Sequence, residues 1–321
     1  MADIRPKPTL LYIVGMGHSG STLLELLLNR VDNVASMGEI SLFSLQLYRD
    51  EKTRWVGQCS CGQRPNRCPR WGSVIKAINE KNQTDLMVSP FSWTVSDLGL
   101  EEEFGKQKLF TYFKYKATRF LRSSAYKNRS RLRVIFDLFT RSRIERRDDL
   151  IDFYAEDAGV DFVVDASKDP IEMRDIVEFS RLNPKVIFLT RNPMGLAWSS
   201  LRNKNQSVDV TAKTWVRLNE RILDLLNDVP KSQWIHVEYE ELCRDPELVL
   251  EKVAEFAGVS PFRLTTPDDE FLKRHTIAGN KHRFKKLAEV REDLEWKEKL
   301  TLEQQKRVKT IVDPLFIRLN S

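Results

Sequence analysis

Long apolar runs are missing from this chain of 321 residues, and its first ten residues, MADIRPKPTL, lack the apolar core of a secretory leader. No run approaches the length that a transmembrane helix needs, and the sequence contains no internal repeat or low-complexity tract. These absences argue against a secreted or membrane-inserted protein. We therefore expect a cytoplasmic protein without stable membrane insertion.

A strong excess of one charge is also missing. The 52 Lys and Arg against 46 Asp and Glu leave a formal net charge of +6. This balance favours anionic ligands but is too mild to indicate a nucleic-acid partner. The hydrophobic content of 41% and charged content of 31% are ordinary for a soluble globular protein, and the length suffices for a large α/β domain.

Cysteine is scarce, and three of the four cysteines are clustered: Cys59, Cys61 and Cys68, with Cys243 remote. Such a cluster can bind zinc, form a local disulfide with Cys68, or consist of plain structural thiols. A tetrahedral zinc site needs four ligands, and no histidine lies nearby in the sequence. We therefore favour structural thiols or a local disulfide, and we expect no metal in the active site.

The first motif is a strand followed by a glycine-rich turn and a helix, within residues 9–29. Leu10 to Val14 predict a buried parallel strand, and Ser21 begins a helix rich in leucine. Glycines let the backbone approach a ligand, and the unpaired N–H groups and dipole of the first helical turn favour an anion. An ordinary strand–turn–helix corner is the alternative.

A lysine is missing where a P-loop needs one. Gly15 and Gly20 have the P-loop spacing, but Ser21 occupies the lysine position. This absence disfavours an NTPase and indicates a site for one phosphate or sulfate.

Two later predicted strands are each followed by a cationic side chain. The predicted strand 161–165 leads to Lys168, and the strand 185–190 leads to Arg191; a fourth strand is predicted at 234–237. Alternating strands and helices predict a doubly wound parallel sheet, in which the carboxyl ends of the strands share one edge. We therefore expect the turn before Ser21, Lys168 and Arg191 to form one pocket.

Helical patterns fill most of the remaining chain. Helices are predicted at 74–79, from Pro170, from Pro193, at 211–227, from Pro246 to Gly258, and from the capping box of Thr301 and Gln304. An insertion at about 90–155 is rich in Lys, Arg and aromatic residues. We favour a helical insertion with a solvated basic face over a nucleic-acid-binding segment, and a lid over an anionic substrate is a refinement of that interpretation.

The order of these motifs resembles that of the sulfotransferases that use 3′-phosphoadenosine 5′-phosphosulfate, and most closely their bacterial and tyrosylprotein-type branches. The matching segments are Gly17 to Leu24, Met37 to Glu39, Ser167 to Pro170, Val186 to Leu201, Val237 to Leu242 and His275 to Arg283. The resemblance implies a P-loop-like three-layer α/β fold, with residues 1–321 forming a single domain that carries the insertion.

The resemblance also implies roles for individual residues. Lys168, Glu39 and His18 are the candidate catalytic residues, with Glu39 as the general base. The cofactor-binding candidates are Gly17, His18, Ser19, Gly20, Ser21, Thr22, Arg191, Ser199, Tyr239, Asn280 and Arg283. The family usually has Lys or Arg at the position of His18. Because a histidine is not reliably charged at neutral pH, Lys168 becomes the first candidate for the main catalytic cation. A lone acid such as Glu39 is otherwise most often solvated or helix-capping.

The implied reaction transfers a sulfuryl group from 3′-phosphoadenosine 5′-phosphosulfate to a hydroxyl acceptor, leaves adenosine 3′,5′-bisphosphate and requires no metal. The acceptor is a small-molecule, carbohydrate or peptide hydroxyl, whose pocket we expect within residues 40–160 and 260–285; no nucleic-acid partner is expected. The alternatives are a P-loop-type kinase and a non-catalytic protein that binds anions or nucleic acid.

Overall fold

A computed structural model describes residues 6–48, 57–88, 132–264, 275–284 and 290–319. Its centre is a five-stranded parallel sheet in the order β2-β3-β1-β4-β5. The strands are β1 (Thr9–Gly15), β2 (Val34–Gly38), β3 (Phe162–Lys168), β4 (Asn183–Thr190) and β5 (Trp234–Glu238). The predicted parallel α/β fold is confirmed.

Helices connect and cover the strands. They are α1 (Ser21–Leu28), α2 (Phe43–Tyr48), α3 (Pro69–Asn82), α4 (Leu132–Ala158), α5 (Pro170–Phe179), α6 (Pro193–Lys204), α7 (Val208–Leu226), α8 (Tyr239–Arg244), α9 (Pro246–Ala257), α10 (Trp296–Lys299) and α11 (Leu302–Leu319). Among the described residues, no helix is both long enough and apolar enough to cross a membrane.

Strand β1 shows why the fold has three layers. Its side chains alternate, so Leu10, Tyr12 and Val14 face one apolar cluster and Leu11 and Ile13 face another. The first cluster includes residues of α3, α4, α5 and α7, and the second includes residues of α1, α8 and α9. A third cluster joins α6, α7 and α11. The buried sheet therefore carries helices on both faces.

The structure extends several predicted elements and adds one strand. Val34–Gly38 is the edge strand β2, which the sequence analysis described only as an apolar stretch. The predicted helix at 74–79 begins earlier, at Pro69, which occupies the first turn. Strand β3 continues to Lys168, three residues past its predicted end. The capping box is present: Thr301 and Gln304 exchange backbone-to-side-chain hydrogen bonds.

The basic insertion is described only in its last part, because residues 89–131 lie outside the described ranges. In that part, a solvated basic face is the wrong description of Arg147. This side chain is buried and forms ion pairs with Asp165 on β3 and Glu172 on α5. Ion pairs therefore stabilise the contact of helix α4 with the sheet and with α5, in addition to apolar packing.

The cysteines agree with the expected structural thiols, but their surroundings differ from expectation. All four are free thiols. Zinc was disfavoured because no histidine lies near the cluster in the sequence. The fold brings His275, more than 200 residues away, to within 3.1 Å of the Cys68 thiol, measured from Nδ1 to Sγ.

Candidate active site

All five strands contribute to one cleft of about 720 Å³ at their carboxyl ends. Each strand end supplies lining residues: Glu39 after β2, Lys168 at the end of β3, the turn from Gly17 to Thr22 after β1, Arg191 after β4, and Tyr239 after β5. The predicted convergence of the three strand ends therefore occurs, and two further strand ends join it.

The turn between β1 and α1 is shaped by residues with positive φ. His18 has φ 72° and Gly20, the N-cap of α1, has φ 91°. A Cβ on Gly20 would lie 2.4 Å from Cδ2 of Tyr239, so only glycine allows this close approach. No side chain within the described ranges caps the helix, and the N–H groups of its first turn are available to an anion.

Lys168 also has positive φ, 65°, which is uncommon for a residue with a side chain. Its neighbours fix this conformation. The Ser167 hydroxyl accepts a hydrogen bond from the Ser41 N–H at 3.0 Å. Asp169 caps α5, and the Tyr12 hydroxyl donates to the Asp169 carbonyl at 3.0 Å. The turn is therefore held in a conformation that costs about 1–3 kcal/mol when unsupported, as is typical of functional sites.

Lys168 and Glu39, the two main catalytic candidates, form a direct ion pair within the cleft. The position of Glu39 depends on the neighbouring loop, because its N–H donates to the Ile277 carbonyl at 3.0 Å. At Gly38, φ is 86° and a Cβ would lie 2.1 Å from that same carbonyl. The Gly-Glu pair therefore lets the loop at Ile277 pack directly on the end of β2.

Arg191 is buried on the opposite side of the turn. Its Nη1 donates to the His18 carbonyl at 3.0 Å, and its Cζ lies 4.4 Å from the centroid of the Tyr239 ring. Its Nη2 has no hydrogen-bond partner among the described residues but lies 3.6 Å from Oδ2 of Asp293. The guanidinium is thus oriented by the protein while one of its donors remains available.

Burial shifts the pKa of several groups around the cleft. Desolvation raises the pKa of Glu25, on α1, from 4.5 to about 7, although its carboxylate accepts a hydrogen bond from the Ser36 hydroxyl at 2.8 Å. Desolvation also raises the pKa of Tyr239 and lowers that of Arg283. The phenol of Tyr239 therefore stays protonated at neutral pH.

Most of the predicted site residues line this cleft: Gly17, His18, Gly20, Ser21, Thr22, Glu39, Lys168, Arg191, Ser199, Tyr239 and Asn280. Two do not. The Ser19 hydroxyl is buried, and no described residue is its hydrogen-bond partner. Arg283 is buried and donates to the carbonyls of Gly279 and Gln58. Its position supports the loop rather than direct contact with a ligand in the cleft.

The cleft also contains residues that the sequence analysis did not select. Arg202 and Asn203 follow Ser199 by three and four positions on α6, and a helical repeat would have placed them on the same face. Arg291 and Asp293 also line the cleft. They precede α10 in a segment without helix or strand, and no local pattern in the sequence marks them.

The arrangement can bind an anion and stabilise charge in a partly enclosed site. The turn after β1 lies between the ends of β3 and β4, so Lys168, which pairs with Glu39, and Arg191 flank it. A cation beside a carboxylate can stabilise a leaving anion while the carboxylate accepts a proton. The cleft therefore has the groups needed for transfer of an anionic group to a hydroxyl.

Comparison with known proteins identifies a family. The sequence model of a protein family, described as the sulfotransferase family, matches residues 9–263 of this chain. The match covers more than half of the chain. The match spans every strand of the sheet and the cleft residues from Gly17 to Tyr239. None of the curated proteins matches the chain.

Three solved structures with low sequence identity are similar along most of this chain. The sulfotransferase domain of the curacin biosynthetic pathway is 16% identical, with coverage of 96% of this chain and 97% of that one and a TM-score of 0.48. The sulfotransferase domain of the Synechococcus PCC 7002 olefin synthase is 19% identical, with coverage of 97% and 96% and a TM-score of 0.40. The sulfotransferase STF9 of Mycobacterium avium is 13% identical, with coverage of 97% and 69% and a TM-score of 0.42.

Proposed function

This chain belongs to the sulfotransferase family, and we propose that it transfers the sulfuryl group of 3′-phosphoadenosine 5′-phosphosulfate to a hydroxyl acceptor. The observation that carries the proposal is the convergence of the turn at Gly17 to Thr22, Lys168 and Arg191 in one cleft. Members of the family are enzymes that act on hydroxyl acceptors. The donor and the individual residue roles are our proposal.

The donor set fits a nucleotide with phosphates at two positions. The first turn of α1 offers backbone N–H groups and the hydroxyls of Ser21 and Thr22, which suit the 5′-phosphate. Arg191 has a buried guanidinium with an available Nη2, and Ser199 on α6 also lines the cleft, so these two suit the 3′-phosphate. When bound, the nucleotide would supply an activated sulfuryl group.

Lys168 and Glu39 supply the catalytic groups in this proposal. Transfer breaks the bond from sulfur to the bridging phosphate oxygen and forms a bond from sulfur to the acceptor oxygen, whose proton leaves. Glu39 accepts that proton, and Lys168 stabilises the negative charge that grows on the leaving phosphate. Their ion pair supports both roles, because it holds the base and the cation next to each other. His18 assists as a donor from the turn.

Nucleotide binding is the first test. Adenosine 3′,5′-bisphosphate should raise the melting temperature of the protein more than ATP or GTP does, because two separated phosphates match the two anion-binding groups. Stabilisation by ATP with magnesium, and none by the bisphosphate, would instead indicate the kinase alternative.

The variants Lys168→Ala and Arg191→Ala should differ. Loss of Arg191 removes charge-assisted hydrogen bonds to a phosphate, so the affinity for the bisphosphate should fall about 10- to 100-fold. Loss of Lys168 should lower kcat about 100- to 1,000-fold with a smaller change in affinity. A suitable control is Arg307→Ala, since Arg307 is exposed and pairs with Asp209 on α7, away from the cleft.

Transfer itself is measured as release of adenosine 3′,5′-bisphosphate from the phosphosulfate donor, with a panel of phenols, sugars and hydroxyl-containing peptides as acceptors. Glu39→Gln should lower kcat about 100-fold or more, because the amide cannot accept the proton. Undiminished turnover of this variant would remove Glu39 as the base, and tight binding of the bisphosphate by Arg191→Ala would remove the phosphate role of Arg191.

A further inference from the structure

Outside the cleft, three cysteines and one histidine form a compact cluster. Sγ of Cys59 lies 3.6 Å from Sγ of Cys68, and Nδ1 of His275 lies 3.8 Å and 3.1 Å from these two sulfurs. Cys61 completes the cluster, and all four ligand atoms lie within 4.8 Å of one another. The residues come from two segments that are distant in the sequence, so the fold alone creates the cluster.

The separations match those of a tetrahedral metal site. With bonds of about 2.3 Å to sulfur and 2.0 Å to nitrogen, an ideal zinc tetrahedron has S–S separations of about 3.8 Å and S–N separations of about 3.5 Å. The observed distances scatter around these values. A disulfide requires about 2.05 Å between the sulfurs, far shorter than the 3.6 Å found here.

The surrounding backbone orients the four side chains. Cys59 and Cys61 lie in a turn in which the Gly62 N–H donates to the Cys59 carbonyl at 2.9 Å, and Gly62 has φ 84°. Cys68 is the N-cap residue of α3. The carbonyl of His275 accepts a hydrogen bond from Trp71 Nε1 at 2.7 Å.

We propose that Cys59, Cys61, Cys68 and His275 bind a structural Zn²⁺ ion. Three thiolates and one imidazole are a common ligand set for structural zinc, and four protein ligands leave no open position for a substrate. Thiolate ligands also disfavour Mg²⁺ and Ca²⁺. The site does not depend on the proposed transfer reaction, because none of its four ligands lines the cleft.

The zinc would join the cysteine segment to the loop that forms one wall of the cleft. Two residues after His275, Ile277 bridges to both Cys59 and Gly38. The same loop continues to Gly279 and Asn280, which line the cleft. The metal would therefore act as a positioning element for Glu39, whose N–H donates to the Ile277 carbonyl.

Metal analysis of untagged protein tests the proposal directly. After dialysis against a weak chelator, the wild type should retain about one zinc per chain, and Cys68→Ser should retain almost none. The matched control is Cys243→Ser, which removes a buried thiol that is not part of the cluster and should keep the zinc. Equal zinc content in Cys68→Ser and the wild type would overturn the proposal.

Cobalt substitution of the wild type avoids variants that fail to fold. Co²⁺ added to metal-depleted protein should produce the intense visible bands of a tetrahedral ion and a thiolate-to-cobalt charge-transfer band, and one equivalent of Zn²⁺ should abolish both. Absence of these bands, a Cys59–Cys68 disulfide found by mass spectrometry, or wild-type protein purified without zinc would each overturn the proposal. Failure of bisphosphate binding with normal zinc content would count against the proposed function only.

Discussion

Glu25 offers a quantitative test of the electrostatics beneath the cleft. Its side chain is buried on α1 and accepts a hydrogen bond from the Ser36 hydroxyl. Burial raises its pKa from 4.5 to about 7, even though Lys168 and Arg283 act in the opposite direction. The Glu25→Gln variant preserves the size of the side chain and its acceptor oxygen but cannot ionise.

The sign of the effect follows from proton linkage. Below pH 4.5 the carboxyl is protonated in both the folded and the unfolded state, and its ionisation has no effect on stability. As pH rises to about 7, the unfolded chain loses its proton first, so the folded state becomes less favourable. A difference of about 2.5 pKa units corresponds to roughly 3 kcal/mol at 1.36 kcal/mol per unit.

The assay is urea unfolding followed by circular dichroism, for the wild type and Glu25→Gln in parallel from pH 5 to 8. The free energy of unfolding of the variant should rise relative to that of the wild type by about 2–3 kcal/mol across this range. Taking the difference between the two proteins removes the titration of groups such as Asp148, whose pKa burial also raises. Parallel pH dependences would refute the assignment of a buried, neutral Glu25.

Three further predictions concern the cleft and its support. Gly20→Ala should weaken binding of adenosine 3′,5′-bisphosphate at least 10-fold, because the new methyl group would collide with the Tyr239 ring and disfavour the positive φ; calorimetric titration measures this. Asp293→Asn should tighten that binding up to about fivefold, since it removes a carboxylate that competes for Arg191. Arg147→Met should lower the free energy of unfolding by about 3–5 kcal/mol, because buried carboxylates lose their partner.

Controls and contrary results sharpen these predictions. Gly258→Ala also adds a methyl group at positive φ, but in open space after α9 and outside the cleft lining, and should leave nucleotide affinity unchanged. Weaker binding by Asp293→Asn would mean that the carboxylate orients Arg191 instead of competing for it. For Arg147, the control is Arg181→Met, because Arg181 pairs with Asp149 and Asp152 in a more exposed setting; equal losses from both would contradict the burial argument.

The sequence predicted the parts of the fold whose signals are local. The apolar run at β1, the prolines that begin α5 and α6, and the capping box of α11 each specify their element within a few residues. Strand β2 was missed because a five-residue edge strand ending in Gly-Glu has too little periodicity to be distinguished from a loop. The cations at the ends of β3 and β4 were found because parallel strands share an edge.

What the sequence by itself determined is therefore the order of elements and the type of chemistry at each strand end. Only the tertiary structure decided which side chains meet. It turned Arg283 towards backbone carbonyls, brought Asp293 to Arg191, and carried His275 to the cysteines. These contacts join segments far apart along the chain, and their geometry depends on how the loops pack on the sheet, which no local pattern encodes.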